Sequence, residues 1–226
     1  KPIEDAQVLY TLIDESCFIG STLADGSLTE KFPVGIGGVA NIVREGYIGK
    51  AVEFDPKADA DESLNVEIQP IFTKKVVVKK KNVVKTPQGW QFVDTPVDLS
   101  SKESATITLT RLNDGNELDF SSVANYEGTP SEIEIAPGSY SAEITLLLNE
   151  KIAIPEKEKC EGIFPLRKCF TVPKIDFGEK STPGDERFPE GGLKLNFTIP
   201  NDIQNHDTIV LNAVSIDIAN VPEQER

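Results

Sequence analysis

Methionine is absent from the 226 residues, histidine and tryptophan occur once each, and tyrosine occurs four times. The single histidine, His206, sits in the polar turn Asn205-His206-Asp207, and no G-x-S-x-G elbow or comparable nucleophile context accompanies it. Gly35-Ile36-Gly37-Gly38 lacks both the Lys-Ser/Thr pair and the spacing of a phosphate loop. Carboxylates are plentiful, but so few aromatics give little to floor a sugar cleft, which argues against a glycosidase. The inventory points away from an enzyme. Apolar runs such as residues 144–148 fall far short of the roughly 20 residues a membrane-spanning helix needs. A chain that opens Lys1-Pro2 and holds no Met reads as a processed or excised product, with a removed signal peptide the simplest account.

What is present is acidic. Asp and Glu number 37 against 23 Lys and Arg, a formal net charge of −14. Such a surface repels phosphate backbones and anionic lipid, so nucleic acid and membrane surfaces are poor partners, and divalent cations or basic proteins better ones. Hydrophobic residues make up 38% and charged residues 27%, which suits a folded chain rather than a disordered one. Val and Ile dominate the apolar set, and 15 Pro and 16 Gly cut it into short runs. Short β-branched runs between turn signals read as strands.

Three cysteines occur. Cys160 and Cys169 enclose a short Pro-containing hydrophilic loop, a spacing that suits a disulfide between adjoining strands in an oxidising compartment. Two free thiols are the alternative, and a metal site is weaker because there is no CxxC. Cys17 is left over, either buried and free or parted from a partner outside this sequence.

Strand expectations fall on residues 6–13, 34–43, 47–54 and 64–72, then on 105–112 and 141–148, and finally on 193–199 and 208–218. The best short helix candidate lies around 119–126. The chain divides near residues 70–87 into a module over 1–72 and a second over 73–226, onto which the C-terminal strands fold back.

Two sets of motifs carry a resemblance. Ser21-Thr22-Leu23-Ala24-Asp25-Gly26, a Gly-rich strand and then Arg44-Glu45-Gly46-Tyr47 form the first. Asn113-Asp114-Gly115 followed by Pro137-Gly138-Ser139-Tyr140 forms the second. These resemble the transthyretin-like, carboxypeptidase regulatory-like β-sandwich modules, and the P-G-x-Y run is similar to that of collagen-adhesin B-type stalk repeats. The resemblance covers about half of the chain. It implies tandem antiparallel sandwiches of a surface protein, with Asp-Gly making a tight hairpin and Gly-Tyr opening a late strand.

Several residue groups stand out as candidate sites. Asp55, Asp59, Asp61 and Glu62 share one loop, and Asn113, Asp114, Asn116, Glu117 and Asp119 another. Hard oxygens at alternate positions are what calcium requires, although neither loop has EF-hand spacing, and solvated carboxylates are the default. Lys74, Lys75, Lys79, Lys80, Lys81 and Lys85 frame two valine runs in an otherwise acidic chain. Lysines on an edge strand or linker guard against accidental pairing. The functional alternatives are docking on an acidic patch of a neighbouring copy, head to tail, or binding an anionic polymer. Trp90, after a Pro-Gln-Gly turn, reads first as a core or rim plug and second as a platform for a sugar. Arg167 and Lys168 sit in the loop that the disulfide would close and offer a basic epitope of the kind protease inhibitors present, with a simple staple as the plainer account. Asn196-Phe197-Thr198 is a glycosylation sequon inside an expected strand.

The expectation is an all-β, extracellular or cell-surface structural protein, a stalk, filament subunit or adhesion module acting through self-association or contacts with other surface proteins. The alternative is a carbohydrate- or protein-binding module that uses loops at a sandwich end. No cofactor is expected beyond the candidate calcium.

Overall fold

A computed structural model describes residues 1–58, 60–113, 115–149, 152–162, 167–177 and 187–216. Among them every regular element is a strand, apart from one 3-10 turn at Asn201–Asn205. The chain is all-β.

The first six strands are β1 (Gln7–Leu12), β2 (Glu15–Ser21), β3 (Gly38–Val43), β4 (Tyr47–Ile48), β5 (Lys50–Glu53) and β6 (Gln69–Pro70). They form an antiparallel sheet in the order β2-β1-β3-β5, with β4 and β6 as a separate small ladder. Alternation does the folding: Val8 and Tyr10 of β1 and Ala40 and Ile42 of β3 point to one face and are buried with Ala6 and Ile68. Phe32 meets Tyr10 and Phe54 edge-on at centroid distances of 5.4 and 5.2 Å, and the Tyr10 hydroxyl donates to the Phe54 carbonyl at 3.0 Å. The buried ring is thereby left with no idle polar atom.

From residue 72 a larger assembly begins. Its strands are β7 (Phe72–Thr86), β8 (Gly89–Phe92), β9 (Val97–Asp98), β10 (Glu103–Arg111), β11 (Ser121–Tyr126), β12 (Ser131–Ile135), β13 (Gly138–Leu148), β18 (Phe188–Ile199) and β19 (Thr208–Ser215). Between β13 and β18 lie β14 (Ile152–Ile154), β15 (Lys157–Glu161), β16 (Lys168–Val172) and β17 (Ile175–Phe177). Pairing runs β11-β10-β13-β18 on one side and β19-β7-β12 on the other, with a single core between the two runs. Ile107, Leu109, Ile144 and Leu146 from one side meet Val76, Val78, Ile133 and Ile135 from the other. Each such fully buried aliphatic side chain contributes on the order of 2 kcal/mol.

The two runs join at only two residue pairs, Gly191 with Ser215 and Gly192 with Val214. No side chain fits there: a Cβ on Gly191 would lie 2.0 Å from the Val214 carbonyl oxygen, and one on Gly192 2.2 Å from that of Ile144. β19 runs parallel to β7, whereas the other ladders are antiparallel. β18 and β19 pair with β13 and β7.

Some expectations fail. Residues 119–126 contain a strand rather than a helix, because Ala124 and Tyr126 face inward while Ser121, Val123 and Asn125 face out. Residues 64–68 form no ladder, although Val66 and Ile68 still pack on the first core. β7 is not an edge strand either. β19 covers one side over residues 75–82, and β12, β9 and β8 cover the other in turn.

Candidate interaction surface

The lysines of β7 divide by parity. Lys74, Val76, Val78 and Lys80 point inward, and Lys75, Val77, Lys79 and Lys81 point outward. Lys74 is buried, its ammonium donating to the Gln204 carbonyl at 3.2 Å and lying 5.6 Å from the Phe72 ring centroid. Lys80 is buried against Glu103. Neither can meet a partner, so the six-lysine strip expected from sequence is corrected to an outward row.

On that outer row Lys79 pairs with Asp98 at 3.0 Å and Lys81 with Asp94 at 2.5 Å. Beyond the end of β19, β7 continues as a hairpin with β8, in which Phe92 faces Val83 and Trp90 faces Lys85 in register. Trp90 and Phe92, two apart, share one face and remain 60% and 53% exposed. The Lys81 ammonium lies 5.7 Å from the Phe92 centroid, a cation–π distance. Trp90 is therefore no core plug. All four residues of β8 are exposed, so among the described residues no layer covers it.

Two buried ionic sites went unread in the sequence. At the end of the sandwich from which the hairpin projects, Glu190, Glu103, Lys80 and Ser215 converge. Glu190 is 1% exposed, and the Ser215 hydroxyl donates to its Oε1 at 3.1 Å. Burial, with the neighbouring Glu103 adding to it, pushes the Glu190 carboxyl up to about 8. Burial also works against ionised Glu103, but contacts with Glu190, Lys80 and the Ser100 amide outweigh it and hold Glu103 down to about 2.

At the opposite end Arg111 makes a two-pronged contact with Glu117, Nε–Oε2 at 2.5 Å and Nη2–Oε1 at 2.7 Å. It also donates to the Pro137 carbonyl and, at 2.9 Å, to Gln69 Oε1, and its guanidinium lies 5.8 Å from the Tyr140 centroid. The Glu117 contact, more than burial opposes it, raises the Arg111 pKa. This gives the Pro137-Gly138-x-Tyr140 run a physical meaning. A Cβ on Gly138, whose φ is +137°, would strike the Arg111 guanidinium, and the Tyr140 hydroxyl accepts the Ala136 amide at 3.0 Å. Arg111 also ties the two units together, helped by the Ala51 amide on the Asn116 carbonyl and the Leu118 amide on that of Gly49. A groove of about 470 Å³ at this junction is lined by Gln7, Arg44, Tyr47, Leu118 and Phe120 among others.

Among the described residues the candidate calcium ligands form no converging group. Asp55 Oδ1 accepts the Gly37 and Gly38 amides at 2.7 and 3.1 Å, and Glu62 pairs with Lys57 at 3.4 Å. Asp59 lies outside the described residues, as does Asp114 of the second loop, where Glu117 is committed to Arg111. Among the described residues the only converging metal-type group is Glu158 with Cys160 and Cys169, and those sulfurs are bonded to each other. That disulfide joins directly opposed residues of β15 and β16, Cα–Cα 4.0 Å. Arg167 and Lys168 are exposed beside it, and residues 163–166 of the loop lie outside the described set. Cys17 is free and exposed on β2, so the buried alternative is corrected. His206 is exposed in its turn, 3.8 Å from Asp202.

No protein-family model, curated protein or solved structure matches this chain.

Proposed function

We propose that this chain is an extracellular or cell-surface structural protein, a stalk, filament subunit or adhesion module of tandem β-sandwich units that acts through protein–protein contacts without catalysis. The observation that carries the reading is the outer face of the β7–β8 hairpin, where Trp90 and Phe92 stand in solvent beside a row of lysines. Exposed aromatics sharing one face are the composition of an interface core, and the lysines beside them suit its polar rim. The Cys160–Cys169 bond and the absence, among the described residues, of a helix long and apolar enough to cross a membrane are compatible with an oxidising exterior. The resemblance to transthyretin-like and adhesin stalk modules supports the same reading.

Antibody labelling of intact producing cells, or of their medium, tests it. Signal on unpermeabilised cells or in the medium is expected, and signal only after lysis sinks the reading. The exposure of Trp90 favours one second reading, a glycan-binding face. A glycan array probed with the wild type and with Trp90→Ala decides it, and a blank array retires it.

A further inference from the structure

The two ends of the molecule differ in a way that fits them to each other. β1 starts at the junction groove, whose lining includes Gln7 and Val43, and runs away from the second unit. Its far end lies roughly 17 Å off at about 3.4 Å per residue. There the two-residue turn Ile13-Asp14 joins β1 to β2, and Ile13 has φ +60°. In a two-residue hairpin the first central position with positive φ favours glycine, and a β-branched residue there is an outlier. Ile13 is also 89% exposed, so burial does not compensate it. The adjoining loop places Gly35 against the Leu12 side chain, and Asp55 grips the amides of Gly37 and Gly38, which leaves Val34 and Ile36 in solvent. Ile36 is likewise 89% exposed. A held turn and a held loop thus present apolar side chains beside Asp14 and Glu15.

β7 starts at the junction, just after Gln69 meets Arg111, and its 15 residues carry the hairpin roughly 45 Å along the second unit. Residues 73–93 contain six lysines and no acid, whereas residues 1–72 contain thirteen Asp and Glu against five Lys and Arg. The lysine partners at the hairpin, Asp94 and Asp98, have largely exposed side chains, and such surface pairs are worth about 0–1 kcal/mol, so exchanging them is cheap.

We propose that the Ile13–Ile36 end of one copy docks on the Lys81–Trp90–Phe92 face of the next, so that the chain assembles head to tail. Apolar side chains meet exposed aromatics, and acidic flanks meet lysines. The two surfaces differ and lie at opposite ends, so the contact is heterologous and extends into an open chain instead of closing a dimer. The inference rests on the reading of the protein as a structural subunit and names the contact.

Complementary blocking tests it. Ile13→Asp/Ile36→Asp spoils one end, and Trp90→Ala/Phe92→Ala the other. In analytical ultracentrifugation the wild type gains mass with concentration and loses it with added salt. Each variant alone associates at least roughly tenfold more weakly. An equimolar mixture, which retains one good surface of each kind, forms a 1:1 dimer and nothing larger. Ile13→Asn, which tolerates the backbone, repeats the first arm if the aspartates disturb folding. Wild type that stays monomeric at every concentration overturns the contact, as do variants that assemble normally or a mixture without dimers. Loss of retention on immobilised heparin by the hairpin variant, with association unchanged, overturns it in favour of an anionic polymer. Each of these results leaves the cell-surface reading to the labelling experiment, which fails separately.

Discussion

The two units keep their tension in different places. In the first unit the core is apolar, with Tyr10 the sole buried hydroxyl, and the departures from ordinary geometry lie in the backbone: among the described residues Asp5 and Ile13 are the only non-glycines with positive φ. In the second unit positive φ falls on glycines alone among the described residues, and every described buried charge of the molecule is found there, at Lys74, Lys80, Glu103, Arg111 and Glu190. Strain on an exposed turn costs the fold a little and leaves the side chain free to meet a partner. Charge in a core costs more, and its balance decides how the unit responds to solution conditions. Arg111 with Glu117 is balanced. Lys80 with Glu103 and Glu190 has one carboxyl too many.

The largest effect should come from breaking the balanced pair. Arg111→Ala leaves the part-buried Glu117 without its partner, strips the Pro137 carbonyl and Gln69 of a donor, and should cost about 3 kcal/mol in urea unfolding. Arg111→Met with Glu117→Leu should recover much of the loss. A loss near zero for the single variant would remove Arg111 as the core of the junction.

The unbalanced cluster should respond to pH. Glu190 has its pKa raised to about 8 from 4.5, so the stability it contributes is complete below about 4.5 and is lost as pH rises through 8. Glu103 has its pKa lowered to about 2, so its contribution is present above about 4.5 and is lost as pH falls through 2. Melting temperature should therefore peak near pH 4.5 to 5 and decline toward pH 9. Glu190→Gln should flatten the alkaline side and leave the acid side in place. An unchanged alkaline decline in that variant would assign the loss to other groups.

The smallest effect belongs to the strained turn. Ile13→Gly should raise the stability of the first unit by about 1 kcal/mol, read as a shift in the urea midpoint, because glycine adopts this φ without the steric penalty. If the variant is destabilised, Ile13 makes contacts that its exposure conceals, and the contrast between the units weakens.

Legibility followed the range of the interactions. Residues 105–111 alternate so regularly that both the strand and its inward face were plain, and the same alternation puts Arg111 inward with Ala105, Ile107 and Leu109. The lysines of β7 obey the identical rule. Read by parity instead of as a run, residues 74, 76, 78 and 80 already share a face, so the burial of Lys74 and Lys80 was available and was masked by their charge. Alternation over residues 64–68 gave the inward packing of Val66 and Ile68 but neither the exposure of Leu64 nor the lack of pairing, since it does not report which neighbour supplies hydrogen bonds. The disulfide was visible because its span is local. Glu190 was not visible: its site is assembled from β7, β10, β18 and β19, and nothing near residue 190 announces partners 87 and 110 residues away.

The parallel pairing of β7 with β19 has a mechanical consequence. β7 enters the sandwich at the junction with the first unit, and β19 runs alongside it in the same direction for eight residue pairs. Tension applied between the start of β7 and the end of β19 pulls the two strands past each other lengthwise. All eight rungs are then loaded at once, instead of parting one after another as they do when a hairpin is peeled from its open end. A fold built this way yields to pulling only when the whole ladder gives together.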